Sequence, residues 1–179
     1  MANGSDPKND LSLKLLKQLT DSDPKDFVGF TELGNAYFLR DKYGEAEDAY
    51  SKALALKVDF APTLLNLGKL YLAQKQFDKA IDILIKGLAA APNSADMNQF
   101  LGEAYLQSKK GSKAVIYLNE ALRLEPIEKA DIHLRLAALY NGAGLKDRAV
   151  AEYKMFLEKV PNYKDKVTLE KYISDNSPK

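Results

Sequence analysis

The chain has 179 residues, room for one ordinary domain or a short array of small repeating units. Its 26 Lys and Arg against 25 Asp and Glu leave a net charge of +1, which argues against a nucleic-acid binder or a polybasic membrane-surface protein. The absence of cysteine excludes disulfide frameworks, thiol catalysis and thiolate metal sites, and the single histidine, His133, leaves little for a catalytic dyad or a metal centre.

In chain order, residues 1–8 come first. They are polar and small, lack the apolar core of a signal peptide, and are expected to be disordered. Asn3-Gly4-Ser5 fits a glycosylation acceptor, a three-residue match that chance often produces. No stretch approaches the roughly 18 apolar residues of a membrane span, so no direct membrane insertion is expected. The cytoplasm is the favoured compartment, with a periplasmic or anchored location the alternative if an N-terminal signal has been removed.

Most of the remaining chain repeats. Tyr37, Tyr71, Tyr105 and Tyr140 are separated by 34, 34 and 35 residues. Leu33-Gly34, Leu67-Gly68, Leu101-Gly102 and Leu136-Ala137 stand just before these tyrosines. Ala46, Ala80, Ala114 and Ala149 follow each tyrosine by nine residues, and Tyr50, Leu84, Leu118 and Tyr153 come four later. Pro92, Pro126 and Pro161 close three of the units, with Val58 in that place in the first. Within each unit apolar residues recur at three- and four-residue spacing, the mark of amphipathic helices. The small residue sits where two helices come close, and the closing proline cannot continue a helix. The units run 27–60, 61–94, 95–129 and 130–163, with a one-residue insertion in the loop after Pro126, where it costs little.

These columns resemble the tetratricopeptide repeat family, a helix–turn–helix unit of 34 residues. The resemblance covers 27–163 and implies an all-α fold: a right-handed superhelical solenoid, read as one domain, with terminal capping helices. Before the first unit, Pro24 is in phase with the other prolines, and Ser12, Leu16 and Leu19 fall in the columns of Ala46, Tyr50 and Ala53. Residues 9–26 therefore read as an N-terminal half-repeat or capping helix. After the last unit, 164–179 read as a C-terminal capping helix and tail, with Glu170-Lys171 in the Leu-Gly columns.

The resemblance also implies a concave groove, lined by the first helices of the units, that binds an extended or helical partner peptide. Its rows fall on Thr31, Leu65, Gln99 and Leu134; on Asn35, Lys69, Glu103 and Ala138; and on Phe38, Leu72, Leu106 and Asn141. A deeper row falls on Glu32, Asn66, Phe100 and Arg135. The centre is apolar, with single charges of both signs around it, and Asn35 is the side chain best suited to hydrogen-bond a peptide backbone. One family variant clamps acidic chaperone tails with two asparagines and three basic residues. Asn35 and Asn66 match the asparagines, but the basic positions hold Thr31, Asp96 and Phe100, so no carboxylate clamp is expected.

Catalysis is not expected. His133 stands in the opening aromatic column, Lys110-Gly111-Ser112-Lys113 lacks the strand and spaced glycines of a phosphate loop, and Asn141-Gly142-Ala143-Gly144 is a turn between helices. No cofactor and no metal are expected. The leading function is a protein–protein interaction scaffold that takes a partner segment in its groove. The alternatives are a self-associating building block, suggested by Leu11, Leu15, Tyr172 and Ile173 at the ends, and the adaptor domain of an exported or membrane-anchored protein.

Overall fold

The computed structural model describes residues 7–177, which form helices and connecting turns, with no strand among the described residues. The helices are α1 Pro7–Ser22, α2 Phe27–Phe38, α3 Tyr43–Leu56, α4 Ala61–Ala73, α5 Phe77–Ala90, α6 Ala95–Gln107, α7 Gly111–Leu124, α8 Asp131–Gly142, α9 Lys146–Lys159 and α10 Lys166–Asn176. Residues 1–6, with Asn3-Gly4-Ser5 and most of the N-terminal tail, lie outside the described residues, as do 178–179. Pro7 and Lys8, assigned from sequence to that tail, belong to α1. The fold is an all-α helical-repeat solenoid. It divides into two compact units, Met1–Pro92 and Asn93–Lys179. A repeat array builds its core hairpin by hairpin, without one common centre.

The helix starts follow from local chemistry. Asp26 caps α2 by accepting from the Gly29 N–H at 2.9 Å, and Ser94 caps α6 by accepting from Met97 at 3.2 Å. Pro62 sits in the first turn of α4, where its missing N–H would have no intrahelical partner. The hairpins close because glycine leaves room for one large side chain. A Cβ at Gly34 would stand 2.5 Å from Tyr50, at Gly68 2.6 Å from Leu84, and at Gly102 2.7 Å from Leu118. Those three large residues are fully buried.

Each hairpin turns through one left-handed residue in the same column: Asp41, Lys75, Lys109 and Gly144, with φ of 56°, 59°, 58° and 75°. The next N–H reaches back to the repeat tyrosine carbonyl, as Lys42 to Tyr37, Gln76 to Tyr71, Lys110 to Tyr105 and Leu145 to Tyr140. This is a Schellman turn, which satisfies the carbonyls left over at the helix end. A basic group also stands over each repeat tyrosine. Lys79, Lys113 and Arg148, each eight residues on, lie 5.2, 5.4 and 5.7 Å from the rings of Tyr71, Tyr105 and Tyr140. Glu45 occupies that place in the first hairpin, and Lys17 of α1 covers Tyr37 instead, at 5.5 Å.

In the first unit, α1 lays Leu13 and Leu16 against Phe30, Leu33, Ala49 and Ala53. Ser12 is exposed, although its column is buried at Ala46, and Leu11, Leu15 and Leu19 are exposed with it. In a full unit that side of the second helix meets its own first helix, and no described helix precedes α1. In the second unit, α10 packs on α9 through an edge-to-face contact between Tyr172 and Tyr153 with ring centres 5.0 Å apart. Glu170 and Lys171 are exposed. The connection between α7 and α8, residues 125–130, is two residues longer than the four-residue connections 57–60 and 91–94.

Candidate functional site

Three- and four-residue spacing puts Thr31, Asn35 and Phe38 on one face of α2, and Leu65, Lys69 and Leu72 on one face of α4. The first unit thus carries half of the sequence-derived rows. Leu65, Asn66, Lys69 and Leu72 are all half-buried. Phe38 is also half-buried, packed on the core of Tyr50, Leu67 and Leu70 and tilted against the Tyr43 ring at 5.8 Å.

Thr31 does not line an open groove. It is buried, and its hydroxyl donates to the Phe27 carbonyl at 2.8 Å. That bond uses its only proton, so at the 2.6 Å contact with Thr63 it is Thr63 that donates. The pair ties α2 to α4 through a bridge that no ligand reaches.

Asn35 is likewise committed. Its carbonyl oxygen accepts from the Tyr50 hydroxyl at 2.7 Å and from the Asn66 amide at 2.8 Å, and its own amide donates to Glu32 at 3.3 Å. Burial, together with the nearby Glu32 charge, pushes the Tyr50 phenol well above its ordinary range, so it stays a donor. Asn66 spends one N–H on Asn35 and keeps its second N–H and its carbonyl oxygen. Of the two asparagines, Asn66 is therefore the one with hydrogen-bonding groups unspent, whereas the sequence pointed to Asn35.

The second unit carries the other half of the rows on α6 and α8. Gln99, Phe100, Glu103 and Leu106 are half-buried on α6, as are Leu134 and Arg135 on α8. Leu106 packs onto the core formed by Leu118, Leu122, Ile132 and Leu136. The charges here are spent on one another. Arg135 pairs with Glu103 at 3.0 Å and with Asp131 at 3.4 Å. Lys129, from the longer 125–130 connection, pairs closely with Asp96 and lies 3.8 Å from Glu125. Asn141 accepts from the Tyr172 hydroxyl at 2.6 Å.

The sequence reading placed single charges around the groove but missed the ionic partners Lys129 and Asp131, and it missed Thr63, the partner of Thr31. A signal was present. The bridging pairs Thr31–Thr63, Asn35–Asn66, Asp96–Lys129, Glu103–Arg135 and Asn141–Tyr172 are 32, 31, 33, 32 and 31 residues apart. Polar residues a little less than one repeat apart meet between one first helix and the next, or the connection that leads into it.

His133 is buried, with its Nδ1 2.6 Å from the Glu152 carboxylate. It joins α8 to α9 inside the fourth hairpin. Among the described residues no group of three or more His, Asp or Glu side chains is placed to hold a metal ion. No helix among them is long and apolar enough to cross a membrane.

Family models described as tetratricopeptide repeat match residues 37–103, 95–128 and 131–163. No curated protein matches the sequence significantly. Among solved structures, MamA (residues 41 to the end) from Desulfovibrio magneticus RS-1 is similar at 22% identity, over 88% of this chain and 89% of that one, with a TM-score of 0.80. PilF of Pseudomonas aeruginosa is 20% identical over 94% of this chain and 81% of its own, with a TM-score of 0.80. YrrB, described as a TPR protein with an unusual peptide-binding site, is 18% identical over 91% and 92%, with a TM-score of 0.73. At these identities the likeness is one of fold.

Proposed function

Because the chain belongs to the tetratricopeptide repeat family, a fold that generally serves as a protein-interaction scaffold, we propose that it binds a segment of a partner protein on the first-helix face of its first unit. The observation that carries this reading is the combination of half-buried Leu65 and Leu72 with Asn66, whose unspent amide groups can pair with a peptide backbone. On the second unit the corresponding charges are already engaged in ion pairs, and a partner there would have to displace them. The reading assigns no catalytic role. Affinity for one segment is about micromolar, near 8 kcal/mol.

The test is capture from an extract of the source cells, with the wild type beside Leu72→Arg. Proteins held by the wild type and lost with the variant, at unchanged helix content by circular dichroism, are the expected result. Identical capture by both would remove the face from consideration. A second reading, self-association, is favoured by the exposed stripe Leu11, Leu15 and Leu19 on α1. Light scattering over a concentration series decides it: mass that rises with concentration, and no longer rises in Leu15→Glu, is its signature.

A further inference from the structure

The opposite side of α2 carries a second recessed surface. Phe30, Leu33 and Tyr37 floor a trough of about 720 Å³ between α1 and α3, open to solvent along its length. That size falls within the range of sites that enclose a small ligand or a few side chains of a peptide. Its walls are basic. Lys17 of α1 and Lys52 of α3 both line it and are both exposed. Their ammonium groups lie 5.5 Å from the Tyr37 ring centre and 5.6 Å from that of Phe30. Beside Leu56 at one end, Lys57 stands 5.1 Å from the ring of Phe27. Asp21 is the one carboxylate in the lining.

We propose that this trough is a second binding site, for a partner-protein segment carrying an Asp or Glu next to a large apolar side chain. Charge complementarity selects the occupant. Two cations flank an apolar floor, so a carboxylate can meet the ammonium groups while its apolar neighbour covers the half-buried Tyr37 ring and the exposed edge of Leu56. Each ammonium group already stands over an aromatic ring of the floor, which biases it toward the trough before any ligand arrives. The site is separate from the α2 and α4 face, because residues 30, 33 and 37 point away from residues 31, 35 and 38 on the same helix.

Selection of random displayed peptides on the full chain tests this. Each enriched peptide is measured again on wild type, on Lys17→Glu/Lys52→Glu and on Leu72→Arg. The expected result is a class with an acidic residue beside Phe, Tyr, Leu or Ile that loses about tenfold or more in affinity on the double variant, weakens as salt rises, and binds Leu72→Arg like wild type. The absence of such a class, or peptides that bind the double variant undiminished, overturns the proposal. So does sedimentation showing a wild-type dimer that the double variant abolishes, since the occupant is then a second copy. Both lysines are exposed, so the double variant keeps the wild-type circular dichroism spectrum. Should it not, Lys17→Gln/Lys52→Gln removes the charges without reversing them and is judged by the same outcomes.

Discussion

Replacing Asn35 by Ala removes one acceptor from two donors, the Tyr50 hydroxyl and the Asn66 amide. Tyr50 is buried, so its hydroxyl then has neither the asparagine nor water, and the cost is about 1–3 kcal/mol in urea unfolding. A purely exposed Asn35 would cost almost nothing, so the measurement separates the two environments. The turn column offers the opposite kind of change. Lys109 holds φ of 58°, where a side chain is strained and glycine is not. Lys109→Gly is expected to stabilise the chain by about 0.5–1 kcal/mol, and Gly144→Ala to destabilise it by a similar amount. Paired urea titrations of the two variants should therefore move in opposite directions.

At the scale of the helix, the glycine column sets how closely a hairpin closes. Gly68→Ala would put a Cβ 2.6 Å from the Leu84 side chain, so either that side chain or the helix must shift. The expected loss is about 1–3 kcal/mol by thermal unfolding, and in a double-mutant cycle the same change costs less in a Leu84→Ala background, where the space is already open. This is also where the sequence was most legible. Leu-Gly, Tyr, Ala and the closing Pro stand in fixed columns because every hairpin solves the same packing problem, so their period exposes the helices directly. Legibility failed where a residue's partner lies outside its own hairpin. Ser12 stands in a buried column and is exposed, because the column's partner is a first helix and no described helix precedes α1. Thr31 and Asn35 stand in groove columns but are taken up by Thr63 and Asn66 of the next hairpin. Charges around the groove were visible in the sequence, whereas their pairing depends on how one hairpin meets the next.

Over the whole molecule, near-balanced charge leaves alkaline pH as a readable stress. Burial and the bond to Glu47 push the Tyr71 phenol up to about 12, and burial also raises Tyr50 and Tyr153. A phenol whose folded pKa exceeds its unfolded value favours the fold fully while it is neutral in both states, below about pH 10. That contribution is lost as pH rises through the folded value, so the urea midpoint is expected to fall from about pH 10 to 12. Tyr71→Phe, which cannot ionise, should show a shallower decline over the same interval. An equal slope in both proteins would show that other groups govern the alkaline limit.

The three non-glycine residues in the left-handed turn column, Asp41, Lys75 and Lys109, have a consequence for how the chain can change. They occupy separate hairpins, so relieving them is close to additive, about 1.5–3 kcal/mol in total. That reserve lies in the backbone of the turns, where Asp41 and Lys75 donate to the Phe38 and Leu72 carbonyls, and drawing on it leaves every side chain of the proposed binding surfaces in place. A lineage or a designer could draw on it first and then spend the margin on new side chains at Leu65, Asn66 or Leu72 that would otherwise unfold the protein. The turns thus set how far recognition can diverge while the scaffold survives.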